Sequence, residues 1–357
     1  MLTLLATLFV LGVLILVHEL GHFLAAKSVG VAVPRFSVGL GPRVWGIRRG
    51  ETEYVISALP LGGYVRMAGA VEDEQAALEG GRVEEVPPER RFESKPLWAR
   101  VWVISAGVCM NALFAWLAFS VLVLHQGRRP PVVAEVVPGT PAAAAGLLPG
   151  DSVVAVGGES VRDWAEFAAY TRAHPGDTVR VLVARGSARL ELAVVAAAVR
   201  ERDVVSGDTL LVGQIGVLGG ERVPVGPGYA LVEGGRRTVA LTGDVLRFLG
   251  HLVVGRASPR EVAGVITIGK LSGEFARMGW AQLVWLMAFL SVNLAIVNLL
   301  PIPILDGGHL VFLALEAVRG RALSLEVRAR LTQVGLVVLV ALMVWALTAD
   351  VLRLLGR

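Results

Sequence analysis

The chain of 357 residues holds a single cysteine, Cys109, set within an apolar run. No intrachain disulfide is available and no cysteine-based metal site can form, so any metal must be held by histidine and carboxylate. Charge is also scarce. Charged residues make up 18% of the chain against 54% hydrophobic, and the mean hydropathy is +0.64. That balance excludes an ordinary water-soluble enzyme and points to a membrane protein with one water-exposed section. The net charge of +4 and pI of 9.6 fit basic loops beside anionic lipid, and no nucleic-acid partner is expected. A basic leader is missing as well. Met1-Leu2-Thr3 precedes the first apolar run, and ionisable residues interrupt its end, so a retained span is expected over a signal peptide cleaved near Ala25-Ala26-Lys27. No short-period repeat, low-complexity tract or duplicated set of spans is visible, which argues against a transporter built from internal repeats.

What is present is four uncharged stretches near the length needed to cross hydrocarbon as a helix. They are Leu2 to Val17, continuing through Phe23-Leu24-Ala25-Ala26; Val101 to Leu124; Gly279 to Ile304; and Leu331 to Ala349. Eleven Lys and Arg lie from Lys27 to Arg100, and Arg319, Arg321, Arg328 and Arg330 follow the third run. The positive-inside rule puts both connections in the cytoplasm and both chain ends outside. The expected fold is a polytopic α-helical membrane protein of about four transmembrane helices, with a β-hairpin region and an inserted α/β domain.

That domain is expected over residues 128–200. Val132 to Val137, Ser152 to Val156, Thr178 to Val183 and Leu190 to Val195 are β-rich, Asp163 to Arg172 reads as a helix, and Pro-Gly and Gly-Gly pairs punctuate them. Gly139 to Asp151, ending in AGLLPGD, resembles the start of a bacterial circularly permuted PDZ domain, a module that binds peptides by strand addition; a generic small β domain is the plainer alternative. Residues 1–127 then form the N-terminal membrane part, with the hairpin region at 30–68. Residues 201–278 are a following segment, and 279–357 the C-terminal membrane part. Within 201–278, Tyr229 to Val254 mixes apolar residues with Arg236, Arg237, Asp244 and Arg247. It reads either as an amphipathic helix on the membrane surface or as one packed on the small domain. The acidic stretch Glu72 to Glu93 reads as a solvated cytoplasmic loop.

The chemistry-bearing feature is His18-Glu19-Leu20-Gly21-His22. On a helix, histidines four apart share a face and can reach one zinc ion, while the adjacent Glu19 can take a proton from water that the metal activates. The bland alternative is two histidines at a helix end with Glu19 snorkelling to the interface. Such residues at the end of an apolar span are costly in lipid without partners. A catalytic zinc wants three protein ligands and an open position, and Asp306 is the candidate third. It follows Asn298-Leu299-Leu300-Pro301-Ile302-Pro303-Ile304-Leu305, where two prolines must open the helix. Non-helical backbone at membrane depth implies burial in protein or a wet cavity. His309 is the rival ligand, one turn on; His125, His174 and His251 read as ordinary surface or interface residues. Glu53 to Met67 alternates and reads as a hairpin dipping toward the membrane, whose edge at Tyr64 and Val65 would pair with an unwound substrate.

HELGH in the first span and N-x-x-P-x-P-x-L-D-G near the third resemble the site-2 protease family of intramembrane zinc metalloproteases. Gly62 to Met67 and Phe92 to Arg100 are similar to its bacterial branch, typified by the regulator of sigma-E protease. The resemblance runs over nearly the whole chain. It implies a multi-pass protein of the bacterial inner membrane with its active site near the cytoplasmic side and its PDZ-like domain outside. It also implies zinc held by His18, His22 and Asp306 with Glu19 as base, and cleavage of membrane-spanning substrates such as anti-sigma factors or remnant signal peptides. Asn293 and Asn298 match asparagines that hold substrate backbone in that family; interhelical hydrogen bonding is the alternative for each. Two departures stand out. The chain has room for one PDZ-like domain where well-known members carry two. It also has Gly107-Val108 and Gly264-Val265 where the family often has Gly-Pro, and neither position is expected to touch the metal. A non-catalytic membrane scaffold displaying the PDZ-like domain is the alternative function.

Overall fold

A computed structural model describes residues 1–69, 86–202, 209–256 and 264–354. In chain order the elements are α1 (Leu2–Ser28), β1 (Arg35–Arg49), β2 (Thr52–Arg66), α2 (Leu97–Gln126), β3 (Val133–Val136), α3 (Pro141–Ala144), β4 (Ser152–Val156) and β5 (Glu159–Ser160). They continue with α4 (Trp164–Ala173), β6 (Thr178–Arg185), β7 (Ala188–Val195), β8 (Ala197–Arg202), β9 (Thr209–Gln214) and β10 (Val217–Gly219). The chain closes with α5 (Pro227–Val253), α6 (Val265–Met278), α7 (Trp280–Leu299), α8 (Asp306–Arg319) and α9 (Leu325–Leu354). Two compact units result, one of residues 1–119 with 234–357, the other of residues 120–233.

In the first unit, α1, α2, α7 and Glu326–Leu352 of α9 are, among the described residues, long and apolar enough to cross a membrane. The run expected to extend to Ile304 stops as helix at Leu299, because Pro301 and Pro303 supply no amide hydrogen to continue it. The chain re-enters helix at Asp306. Helix α6, which the sequence did not announce, packs along α1. Its Gly273 lies against the Thr3 side chain, and Thr7 Oγ1 donates to the Gly269 carbonyl at 3.3 Å.

Glu53 to Met67, expected as a hairpin of its own, runs instead as one strand, β2, paired to β1. The first half of β1 has two neighbours: Arg35–Val38 carry Glu53–Ile56 on one side and Gly63–Arg66 on the other. This leaves Gly63–Arg66 as an edge, with no further strand pairing to it among the described residues. Leu40, Val44, Trp45, Ile47 and Ile56 of the same pair are exposed. Of the acidic stretch, residues 72–85 lie outside the described residues, and Pro88–Arg90 and Phe92–Ser94 form single 3-10 turns.

The second unit is built around a four-stranded sheet of order β5-β4-β6-β7, with the smaller pairs β3–β10 and β8–β9. Val133, Leu147, Val153, Phe167, Val181 and Ile215 sit in its core. The AGLLPGD segment is legible in atoms. Leu147 is buried, Gly146 and Gly150 take positive φ, and the Asp151 carboxylate closes the turn by accepting from the Leu148 N–H at 2.9 Å. Asp163 caps α4 by accepting from the Glu166 N–H. The boundary expected at residue 200 falls too early. Ile215 is part of the core and β10 pairs with β3, so the unit closes only when the chain returns after β9.

Candidate metal centre

Ala6, Val10, Leu14, His18 and His22 recur every four residues on α1, and all are buried. One helix face is therefore an apolar seam that changes into two imidazoles near its end. Gly21 lies on the same side, where a side chain would strike the Ala106 carbonyl of α2. Small residues let the two helices approach this closely.

Helix α2 receives both rings. His22 Nδ1 is 2.8 Å from the Val103 carbonyl oxygen, an acceptor that fixes the proton on Nδ1 and leaves Nε2 a lone pair. Gly107, one turn on, faces both rings; a Cβ there would overlap His22 Nε2 and His18 Cε1. Asn111, another turn on and fully buried, places its amide 3.1 Å from His18 Nδ1. Gly107 was expected to stay clear of the centre. It instead forms its wall, because the four-residue spacing of 103, 107 and 111 puts all three on one face of α2.

Asp306 arrives from the other side as the first residue of α8. Gly307 and Gly308 follow because no side chain fits there: a Cβ on the first would strike the carbonyls of Leu299 and Leu300, and one on the second the Ile302 carbonyl. The helix start is thus tucked beneath the proline break, and the carboxylate is turned to the histidines. His18 Nε2 and His22 Nε2 are 3.2 Å apart, and Asp306 Oδ2 is 3.3 and 3.4 Å from them.

These three atoms fit a metal ion. Asp306 Oδ2 is buried and has no hydrogen-bond donor, and the His22 nitrogen facing it carries a lone pair. A buried carboxylate oxygen with no donor, facing a nitrogen lone pair, is stabilised by a cation placed between them. Their separations match the edge of a tetrahedron with metal–ligand bonds of about 2.0–2.1 Å, which is about 3.3 Å. Among the described residues, His18, His22 and Asp306 are the one group of three or more His, Cys, Asp or Glu so disposed.

A cavity of about 390 Å³ opens onto the cluster, lined by Glu19, Tyr64, Val65, Leu294 and Asn298 among others. The Val65 N–H on the free edge of β2 donates to the Glu19 carboxylate, and Asn298 Nδ2 lies 3.3 Å from His18 Nε2. Asn293 does not line the cavity; its amide donates to the Phe289 carbonyl of its own helix at 2.8 Å. His309 stands edge-on to Phe312 and outside the cluster. His174 stacks on Tyr170 in the second unit. Gly264 lies far along the chain from the cluster, packed on Asp350.

The chain matches the family described as Peptidase family M50 over residues 6–342. It is 34% identical to the metalloprotease MmpA of Caulobacter vibrioides, over 98% of this chain and 95% of that one. It is 31% identical to the zinc metalloprotease RasP of Bacillus licheniformis, and 30% identical to the regulator of sigma-W protease RasP of Bacillus subtilis, each over 99% of both chains. A solved PDZ domain of an SdrC-like protein from Listeria innocua is 26% identical over 27% of this chain and 99% of that one, with a TM-score of 0.21.

Proposed function

The chain belongs to peptidase family M50 and is an intramembrane zinc metalloprotease, and on that premise we propose that His18, His22 and Asp306 hold the zinc and Glu19 is the base. The observation that carries the assignment is the convergence of the two Nε2 atoms on the donor-free Asp306 Oδ2, at separations of 3.2 to 3.4 Å. Zinc, when bound, supplies Lewis acidity toward a scissile carbonyl and makes hydroxide available at neutral pH. Glu19, in the same cavity, takes the proton from the attacking water and passes it to the leaving amine.

A peptide bond inside a helix is shielded by its own hydrogen bonds, so the substrate span must be extended before it is cut. The free edge at Gly63–Arg66 can hold it by strand addition, with Tyr64 and Val65 beside the cavity. Asn298 lines the cavity and can offer both donor and acceptor to the extended backbone. Asn293 joins it only by giving up its bond to Phe289. The exposed apolar side chains of β1 and β2 support a strand pair that dips into the membrane. The basic connections support a reading in which the centre is near the cytoplasmic side of a bacterial inner membrane and the PDZ-like domain is outside.

Substrates are membrane-spanning proteins, of the anti-sigma-factor or remnant signal-peptide kind. A cavity of about 420 Å³ lined by Thr140, Trp164, Phe167, Ile215 and Val217 suits a peptide ligand of the PDZ-like unit. Purified protein and its Glu19→Gln variant decide the matter. The variant is expected to retain zinc and lose cleavage of a membrane-embedded model peptide by about 10²-fold or more. Equal loss of zinc would overturn the roles, and full cleavage by the variant would leave the non-catalytic scaffold as the better reading.

A further inference from the structure

We propose that Asn111 is a positioning residue: its side-chain carbonyl accepts the Nδ1 proton of His18 and so fixes the tautomer that leaves Nε2 free to bind metal. The inference rests on the metal assignment made above and adds a residue to it.

An asparagine fully buried in an apolar span is unfavourable unless its amide is used. Here its side chain meets one polar partner, His18 Nδ1 at 3.1 Å, and its other polar atom, Oδ1, has none. The amide is thus committed to the ring and to nothing else. An amide presents oxygen and nitrogen in nearly the same shape, and a half-turn exchanges them at the same place. With the nitrogen against Nδ1, His18 must carry its proton on Nε2, and that atom cannot then bind metal. With the oxygen there, the proton moves to Nδ1 and Nε2 becomes a ligand. Asn111 can serve both states, and an aliphatic residue in its place can serve neither.

The comparison with His22 shows why α2 needs a side chain for this task. Val103, Gly107 and Asn111 are four residues apart, two turns of one helix face. At the first position a main-chain carbonyl reaches His22 Nδ1. At the third, the main-chain carbonyl accepts from Ser291 and a side chain reaches His18 instead. Ser291 Oγ of α7 donates to the Asn111 main-chain carbonyl at 2.8 Å, which holds that turn of α2 in place. Asn298 is no substitute: its amide nitrogen sits 3.5 Å from Nδ1 and closer, at 3.3 Å, to Nε2, and it lines the open cavity.

The test uses the full chain in detergent, with zinc affinity measured by chelator competition and the ligand field read from the absorption of the cobalt-substituted protein. Asn111→Leu, similar in volume and without an acceptor, is expected to weaken zinc binding by about 10–100-fold and to alter the cobalt bands. Asn111→Asp, which keeps an acceptor oxygen, is expected to bind at least as tightly as the parent and to keep its bands. Parent-like binding by the leucine variant, or equal loss in the aspartate variant, overturns the proposal. Should the leucine variant unfold, Asn111→Ser, too short to reach the ring, takes its place with the same expected loss. His18→Ala in the same assay separates the two levels: if it binds zinc like the parent, the metal assignment itself fails.

Discussion

Gly107 faces His22 so closely that a single added carbon would overlap the imidazole Nε2. The rings cannot retreat, because Gly21 already brings α1 against the Ala106 carbonyl. Gly107→Ala is therefore expected to lower the bound zinc of the purified protein well below one per chain, and Gly107→Val to abolish it. Elemental analysis checks this. Full zinc content in the valine variant would mean the helices part more easily than their packing indicates.

Prolines at two neighbouring positions should act differently. The Val65 N–H donates to the Glu19 carboxylate, so Val65→Pro removes a donor from the site. It should abolish cleavage with zinc retained. Tyr64 pairs directly with Ser37, so Tyr64→Pro should also loosen the β1–β2 pair and lower the unfolding midpoint. Unaltered cleavage by the Val65 variant would sink the idea that substrate adds to this edge.

Asp350, on α9, caps a helix that is not its own. Its carboxylate accepts from the N–H groups of Gly264, Ile266 and Thr267 and from the Thr267 hydroxyl, at 2.6 to 3.1 Å. Gly264 has no side chain to do this, and one would strike the carboxylate. Asp350→Ala should cost about 2 kcal/mol, read as a lower unfolding midpoint in detergent. Val265 is absent from the cap and is the first residue of α6, where proline is tolerated, and Gly264 before it is extended. Val265→Pro should leave the midpoint unchanged within about 0.5 kcal/mol. A marked loss would show that the Val265 N–H is used after all.

Acid should loosen the second unit through one carboxylate. The Arg185 guanidinium, at 2.7 and 2.8 Å, holds the buried Asp151 carboxyl below its ordinary value. A carboxylate depressed in the folded state contributes fully above its unfolded pKa of about 3.9, and that contribution is lost as pH falls through the folded value. The protection of β4 and β6 amides against exchange, relative to their intrinsic rates, should be steady from neutrality to about pH 5 and fall below about pH 4. Asp151→Asn should exchange faster at neutral pH and show a flatter acid limb. Parallel profiles for the two proteins would remove Asp151 from the account.

Much of this was legible in the chain itself. The four spans follow from apolar runs long enough to cross hydrocarbon, and α4 begins where Asp163 could cap it. His18 and His22 announce a shared helix face by spacing alone, and Asp306 is singled out by the prolines before it. Less visible were α6, whose first turn is satisfied by a residue more than eighty positions away, and the closing strand β10, three residues long. Asn111 carried a faint signal, being polar in an apolar run and eight residues from Val103, but nothing local says which side chain it meets.

The sequence by itself determined which residues could bind a metal, because ligand chemistry and helical spacing are local properties. Which of them meet was decided by the tertiary structure, through contacts between α1, α2 and α8 that no spacing rule encodes. Gly107 shows the difference most clearly. As a letter it is a small residue in a span and was expected to lie apart from the centre. In the fold it is the surface on which both histidines rest, because two helices there approach too closely for any side chain.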